Sequence, residues 1–302
     1  GGHRLPALAR SAGRLRPVPM AKSTPFEPRA IRVPGRDDVE INVWDHGGEG
    51  PSLLVTHCTG THARIWDPIV PLLTPRFHVY AFDTRGHGDS DQPTDPDEYT
   101  WSKFGDDLIS AVAALGLGEG LLGLGHSAGA SQFYFAELEK PGLFSKAVMI
   151  DPILFPKELS SGGSPLEASA RRRLNDFESR EVAHARFASK PPMASWDRSV
   201  LDAYIQHAFR DLEDGTVTLK CPGSIEAEFY AHSESGWAFD RLGEIQTDVL
   251  LVTAEHSNIK QAATLQHAQL THSKLHDVKD AGHFVPQEKP GEIVQLTLKH
   301  LS

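Results

Sequence analysis

The chain has 302 residues, of which 39% are hydrophobic and 23% are charged, and its formal net charge at pH 7 is −10. This length and composition predict one large domain with an insertion. The acidic balance argues against nucleic acid or an anionic membrane as partner, because neutralising phosphates needs clustered Lys and Arg. No run approaches the ~20 apolar residues of a membrane span. Two cysteines, Cys58 and Cys221, give neither a disulfide framework nor metal-ligand spacing. We therefore expect a cytoplasmic protein with no cofactor and no metal.

The N-terminal segment does not read as part of the fold. Its first 19 residues contain no acidic residue and no apolar core of a secretory signal. They carry four arginines, Arg4, Arg10, Arg14 and Arg16. This composition is typical of a transit peptide, but a leader ahead of Met20 is the plainer interpretation. We expect residues 1–28 to be a flexible lead-in and the fold to begin near Arg29.

From there, strand-like and helix-like stretches alternate, which predicts a mostly parallel sheet with crossover helices. Helical spacing relates Phe104, Leu108, Val112 and Leu115, and further helices are expected over 128–139 and 293–301. Eight strands are predicted: Ile31–Pro34, Glu40–Trp44, Ser52–Thr56, Phe77–Phe82, Leu121–Gly125, Lys146–Ile150, Asp248–Thr253 and Lys274–Val278.

One stretch breaks the alternation. Residues 154–236 offer helical patterns at 171–179, 180–189 and 197–210, without an obvious strand partner. We interpret them as a helical cap inserted into a core of residues 29–153 and 237–302. An irregular excursion with no role over the site is the alternative.

The pentapeptide Gly125-His126-Ser127-Ala128-Gly129 follows an apolar strand and precedes a helix. It has the pattern G-x-S-x-G of a nucleophile elbow, where a sharp strand-to-helix turn exposes the serine at the top of a sheet. A glycine-rich loop with a bystander serine is the alternative, and the strand and helix on either side disfavour it.

After residue 30 the chain resembles the α/β-hydrolase superfamily over nearly its whole length, with a serine esterase-like pattern and a helical cap. Four motifs in family order carry the resemblance: His57-Cys58-Thr59-Gly60, Asp83-Thr84-Arg85-Gly86-His87-Gly88-Asp89-Ser90, the elbow, and Gly282-His283-Phe284. The resemblance implies an α/β-hydrolase fold, with a mostly parallel eight-stranded sheet flanked by helices, and a triad of serine, acid and histidine. It does not identify a substrate.

The resemblance implies Ser127 as nucleophile and His283 as its base, in the chain order serine, acid, histidine. The acid departs from the common pattern, because Ser257 stands where relatives usually have an aspartate after the seventh strand. We expect Asp151, after the sixth strand, to replace it. Glu255 remains a competitor, and Asp280 is a more distant one.

The same resemblance implies that the backbone N–H groups of Thr59 and Ala128 form an oxyanion hole. Cys58, which replaces a glycine of that motif, is expected to be a small buried thiol without reactivity. The Asp83–Ser90 loop is expected to be structural. Six residues could line an apolar substrate pocket or belong to the core: His126, Trp66, Phe133, Phe155, Tyr204 and Phe209.

These features predict a serine hydrolase that cleaves a carboxylic ester with an apolar portion through an acyl-enzyme. A lactone is a close alternative substrate, and hydrolysis of a carbon–carbon bond or perhydrolysis can use the same residues. A different class of function is a ligand-binding protein on the hydrolase scaffold with negligible turnover. The substrate, its chain length and the oligomeric state do not follow from the sequence.

Overall fold

A computed structural model describes residues 27–160, 166–233 and 235–302. The predicted lead-in over residues 1–28 falls almost wholly outside this part of the chain. The strands are β1 (Arg29–Pro34), β2 (Glu40–Asp45), β3 (Ser52–Thr56), β4 (His78–Phe82), β5 (Leu121–His126), β6 (Phe144–Ile150), β7 (Asp176–Phe177), β8 (Phe209–Asp211), β9 (Val217–Leu219), β10 (Asp248–Ala254) and β11 (Ser273–Val278).

The α-helices are α1 (Val70–Leu73), α2 (Trp101–Ala114), α3 (Ala128–Glu139), α4 (Lys157–Ser160), α5 (Glu167–Arg171), α6 (Arg180–Ala188), α7 (Arg198–His207), α8 (Gly223–Ala231), α9 (Gly236–Phe239), α10 (Lys260–Gln269), α11 (Val285–Glu288) and α12 (Pro290–Leu301). Within the described ranges, no helix is both long and apolar enough to cross a bilayer.

The main sheet has eight strands in the order β1-β2-β4-β3-β5-β6-β10-β11. The pairs β1/β2 and β2/β4 are antiparallel, whereas the strands from β4 to β11 run parallel. All eight predicted strands are present, and the predicted mostly parallel sheet flanked by helices is confirmed.

Both faces of the sheet are covered by helices. Leu53 and Val55 of β3 belong to a core layer with α1 and α12, whereas Leu54 belongs to the opposite layer with α2 and α3. Successive side chains of a strand point to opposite faces, so a strand covered on both sides is apolar throughout. This explains why the central strands read as continuous apolar runs. Their carboxyl ends form one edge of the sheet.

In its described residues, the segment between β6 and β10 holds six α-helices and a small antiparallel sheet in the order β7-β9-β8. The helix predicted over 180–189 is confirmed as α6. The helix predicted over 171–179 is wrong, because β7 lies there, and the helix predicted over 197–210 ends at His207 before β8. Phe209 pairs with Leu219 and packs edge-on against Phe177 at 5.6 Å, and this tertiary packing overrides the helical pattern. The division at residues 154 and 236 stays a prediction.

Arg85 anchors the loop after β4, as the sequence analysis expected of the Asp83–Ser90 segment. Its guanidinium is fully buried and donates to both carboxylate oxygens of Asp107 at 2.7 Å and to Glu98 at 2.9 Å. Removing one partner of a buried ion pair leaves the other charge buried, with neither water nor an opposite charge to stabilise it. The loop that follows β4 is therefore tied to α2.

We expect Asp107→Ala to lower the free energy of unfolding by about 3 kcal/mol, because Arg85 then keeps only one carboxylate partner. Urea denaturation measures the loss. Glu244→Ala is the matched control, since it removes the partner of Arg241 from an exposed pair, which solvent screens and which therefore contributes little to stability. Equal losses in the two variants would show that the Arg85 pair is no more than a surface contact.

Candidate active site

Ser127 lies at a tight turn between β5 and α3, with φ 59° and ψ −124°. Few residues other than glycine adopt this region, so the serine is held there by its surroundings. Its N–H donates to the carbonyl of Ile150 at 2.8 Å. A Cβ on Gly129 would lie 2.3 Å from the carbonyl oxygen of His57, and one on Gly125 would lie 2.7 Å from the Cα of Ala130. Glycines are therefore required on both sides of the serine.

The structure brings Ser127, His283 and Asp151 together from three separate stretches of chain. The hydroxyl of Ser127 lies 3.0 Å from Nε2 of His283, and Nδ1 of His283 lies 2.7 Å from Oδ2 of Asp151. Ser127 and Asp151 are buried, and His283 is partly exposed. Donation from Nδ1 to the carboxylate leaves Nε2 as a hydrogen-bond acceptor facing the serine. This is the arrangement in which a histidine can take a proton from a hydroxyl.

Asp151 occupies the residue after β6 and has a positive φ of 45°. Its N–H donates to the carbonyl of Val252 at 2.7 Å, which ties this turn to β10. Two hydroxyls donate to its carboxylate: Thr253 reaches Oδ1 at 2.7 Å, and Ser257 reaches Oδ2. Ser257, at the position where the family resemblance places an aspartate, thus contacts the carboxylate that is the candidate to replace it.

The two other acids considered from the sequence lie elsewhere. Glu255 is exposed and accepts the N–H of Asp280 at 3.3 Å, and its other oxygen lies 3.8 Å from Nζ of Lys279. Neither acid has a hydrogen bond to His283 among the described residues. Glu255, Asp280 and His256 also bring three possible metal-ligand atoms within 4.8 Å of one another. All three are exposed, and no other observation points to an ion there.

His126 supports the backbone of the candidate base. Its Nε2 donates to the carbonyl of His283 at 2.9 Å, and the two rings lie 5.1 Å apart. Burial, with a smaller contribution from the nearby His283, holds the pKa of His126 well below its usual value. The ring is therefore neutral. We infer that it positions the loop that carries His283.

The candidate oxyanion donors are Thr59, in the loop after β3, and Ala128, the residue after Ser127. Ala128 is the first residue of α3, and the first N–H groups of a helix have no intrahelical partner. The N–H of Gly60, the residue after Thr59, donates to Nε2 of His87 at 2.9 Å. The N–H of Thr59 donates no backbone hydrogen bond in the described part of the chain. Neither N–H group has a hydrogen-bond partner among the described residues, so both can bind an oxygen.

His57 and His87 hold the Thr59 loop in place. Nδ1 of His57 donates to the carbonyl of Cys58 at 2.9 Å, and its Nε2 accepts the N–H of Thr84 at 3.1 Å. Burial lowers the pKa of His57, and it lowers that of His87 to about 3, with a smaller contribution from His57. Both rings are neutral connectors between the loops after β3 and β4.

Cys58 is buried, and burial raises the pKa of its thiol to about 12. At pH 8 only about one molecule in 10⁴ then carries the reactive thiolate. We expect iodoacetamide to leave Cys58 unmodified in the native protein and to alkylate it after unfolding in urea, as peptide mass spectrometry would measure. Rapid native labelling of Cys58 would contradict the inert, structural assignment.

A cavity of about 440 Å³ opens beside Thr59 and Gly60, and Phe284, the residue after His283, forms part of its wall. Most of its other lining comes from the segment between β6 and β10. The apolar lining residues include Leu174, Phe177, Phe187, Met193 and Trp196. The cavity therefore extends from the candidate oxyanion donor into that segment.

The pocket residues suggested by the sequence do not line this cavity. Trp66 packs in the core layer with α1, and Tyr204 is buried with its hydroxyl 2.7 Å from Nη2 of Arg173. His126 and Phe133 are fully buried, and Phe209 belongs to the small sheet. Phe155, which is half-buried, is also absent from the lining. Trp66, Tyr204 and Phe209 belong to the packed interior, and the cavity is lined by other residues, most of them from the segment between β6 and β10.

Sequence reasoning missed the two hydroxyls on Asp151 and the basic residues of the cavity. The contact of Thr253 with Asp151 follows from strand pairing. Val252 pairs with Ile150, so Thr253 and Asp151, the residues that follow them, are neighbours at the edge of the sheet. That pairing requires knowing that β6 and β10 are adjacent, which the linear sequence does not state.

Comparison with known proteins agrees with this fold. A model of the alpha/beta hydrolase family matches residues 53–296, which is most of the chain, and the chain therefore belongs to that family. The 2-(acetamidomethylene)succinate hydrolase of Mesorhizobium japonicum is 26% identical over 271 residues, covering 87% of this chain and 91% of the relative.

Two solved structures illustrate the structural similarity. A crystal structure of E-2-(acetamidomethylene)succinate hydrolase has a TM-score of 0.80 at 22% identity and covers 91% of this chain and 99% of its own. The N-formylmaleamic acid deformylase of Pseudomonas putida S16 has a TM-score of 0.69 at 18% identity and covers 91% and 100%. At these identities the likeness shows the fold alone. The family match and the curated relative named as a hydrolase support a role as a hydrolase.

Proposed function

We propose that this protein is a serine hydrolase that cleaves a carboxylic ester through an acyl-enzyme on Ser127. The observation that carries the proposal is the unbroken path of hydrogen bonds from Ser127 through His283 to Asp151, with lengths of 3.0 and 2.7 Å. A serine hydroxyl is a weak nucleophile until a neighbouring base removes its proton. Nε2 of His283, 3.0 Å from the hydroxyl, is placed to act as such a base.

In the proposed acylation, Oγ of Ser127 attacks the ester carbonyl carbon while Nε2 of His283 takes its proton. The carboxylate of Asp151 stabilises the imidazolium that forms and holds its tautomer, without itself becoming protonated. The N–H groups of Thr59 and Ala128 bind the carbonyl oxygen as it becomes negative. Such a preorganised donor contributes on the order of 3 kcal/mol to transition-state stabilisation.

The tetrahedral intermediate collapses when His283 gives its proton to the departing alkoxide, which leaves the acyl group on Ser127. A water molecule then attacks the acyl carbon while His283 accepts a proton from it. Collapse of the second intermediate releases the carboxylic acid and returns the proton to Ser127. No cofactor is needed for either half of this reaction.

A panel of 4-nitrophenyl esters, lactones and N-acyl compounds tests the proposal, with wild type and Ser127→Ala compared on each. The N-acyl probes are included because one relative is named for 2-(acetamidomethylene)succinate. We expect Ser127-dependent turnover of the esters. Equal rates for the two proteins on every probe would favour a ligand-binding protein on the same scaffold. Turnover confined to lactones would narrow the activity to a lactonase.

A further inference from the structure

The cavity beside Thr59 combines an apolar wall with a group of cations, although the whole chain has a net charge of −10. Four basic residues line it: Arg172, Arg173, Arg186 and Lys190. Glu226 is the single carboxylate among the described lining residues. A concentration of positive charge at one opening of an acidic protein attracts anions to that opening.

The one carboxylate of the cavity is already paired. Nη1 of Arg173 donates to Glu226 at 2.5 Å and Nη2 donates to Tyr204 at 2.7 Å. A Cβ on Gly60 would lie 3.0 Å from atoms of both Arg173 and Glu226, so this pair lies directly against the Thr59 loop. Arg173 and Glu226 therefore form a neutralised inner wall, and no second carboxylate stands among the described lining residues for the other three cations.

Arg172, Arg186 and Lys190 are exposed, and none lies within 4 Å of a carboxylate in the described ranges. The neighbouring Arg171 shows the contrast, because it pairs with Glu167 at 3.1 Å and with Glu228 at 2.9 Å. Three unpaired cations therefore surround an apolar cavity that leads to the candidate oxyanion donor.

We infer that the substrate carries a carboxylate in addition to its scissile ester, and that Arg172, Arg186 and Lys190 bind this carboxylate at the cavity. This inference rests on the proposed function. Guanidinium and ammonium groups are the natural donors for carboxylates, and the apolar wall fits the hydrocarbon between the two ends of such a substrate. A neutral ester of the same length would gain only the apolar contact.

Two matched pairs of esters test this on the full chain. Mono-(4-nitrophenyl) adipate and 4-nitrophenyl hexanoate place a carboxylate or a methyl at the end of the acyl group. 4-Acetoxybenzoate and its methyl ester place a carboxylate or an uncharged methyl ester on the leaving group. We expect kcat/KM to favour the anion by about tenfold or more in one pair, and that pair shows which side of the ester faces the cations.

The variant Arg172→Gln/Arg186→Gln/Lys190→Gln should reduce that preference about tenfold, since each exposed pair contributes a factor of a few. The loss should fall in KM, because these side chains contact a part of the substrate that does not change during the reaction. Added salt should reduce the preference in wild type and have little effect in the variant, since about 0.1 M salt screens charges beyond ~10 Å.

The matched control is Arg76→Gln/Lys140→Gln/Lys299→Gln. It removes the same charge from three cations that also have no carboxylate within 4 Å in the described residues. Arg76 and Lys140 precede β4 and β6, at the edge of the sheet opposite the site. This variant should keep the wild-type preference. An equal loss in both triple variants would show a general charge effect and overturn the inference.

Failure of this inference is separable from failure of the proposed function. Ser127-dependent turnover of the neutral esters without preference for either anion would overturn the carboxylate site and leave the hydrolase. With no Ser127-dependent turnover, the hydrolase fails. Calorimetric titration of adipate into Ser127→Ala then decides whether the cavity binds carboxylates, through tight binding that the Arg172, Arg186 and Lys190 substitutions weaken.

Discussion

Replacing Asp151 with Asn is expected to lower kcat by about 10³ to 10⁴ with KM little changed, because an amide reverses the tautomer of His283. The amide can place an N–H where Oδ2 accepts a hydrogen bond from Nδ1 of His283, while Thr253 still donates to Oδ1. Nδ1 then becomes the acceptor, and the proton moves to Nε2. His283 in that form cannot take the proton of Ser127. Steady-state kinetics on a 4-nitrophenyl ester measure the loss.

Glu255→Gln is the control for this prediction, since it makes the same chemical change at the competing acid and should cost little. The reverse ranking of the two variants would refute the assignment of Asp151. Ser257 offers a further test because its hydroxyl reaches Oδ2 of Asp151. Adding Ser257→Asp to Asp151→Asn should restore part of kcat, since a carboxylate then lies again within reach of His283.

Replacing Ser127 with Ala has the largest expected effect, a loss of about 10⁴ to 10⁶ in kcat on any ester that the wild type cleaves. In the proposed mechanism the hydroxyl becomes covalently bonded to the substrate, so no neighbour replaces it. The Ala128 and Thr59 N–H groups remain, and they sustain only a small residual rate. The change should leave the melting temperature nearly unaltered, which circular dichroism checks.

Ser131→Ala is the matched control, because this serine is buried one turn into α3 and its hydroxyl donates to the carbonyls of Ser127 and Ile153. This variant also loses a serine hydroxyl, one helical turn away from Ser127, and leaves the reacting atoms unchanged. Comparable losses in the two variants would indicate disruption of the elbow and not loss of a nucleophile.

The main sheet could be predicted from sequence because its signals are local. Buried parallel strands read as apolar runs, and Gly125, Ser127 and Gly129 mark a turn whose backbone excludes larger neighbours. The small sheet between β6 and β10 could not be predicted from sequence. Its strands depend on the pairing of Phe209 with Leu219 and on the packing of Phe209 against Phe177, which are tertiary contacts. Strands of two or three residues carry too little periodicity to be recognised.

The candidate site likewise has a part that sequence motifs predict and a part that depends on tertiary packing. Ser127 and His283 lie in motifs whose residues are adjacent in sequence, whereas the distance from His283 to Asp151 depends on how β6, β10 and β11 pack side by side. The aromatic residues show why residue type alone does not identify a pocket. Trp66 and Tyr204 are large and apolar enough to line a pocket or to pack in the core, and in the structure both are buried in the interior. Arg172, Arg186 and Lys190 gave no sequence signal, because the lack of a nearby carboxylate among the described residues is a three-dimensional property.

The most direct test is to quench the reaction with 4-nitrophenyl butyrate in acid within the first turnover and to map the acylated residue by peptide mass spectrometry. The account predicts one butyryl group for each protein molecule, carried by Ser127 and absent from Ser127→Ala. An acyl group on another residue, or an equal amount trapped on Ser127→Ala, would contradict it.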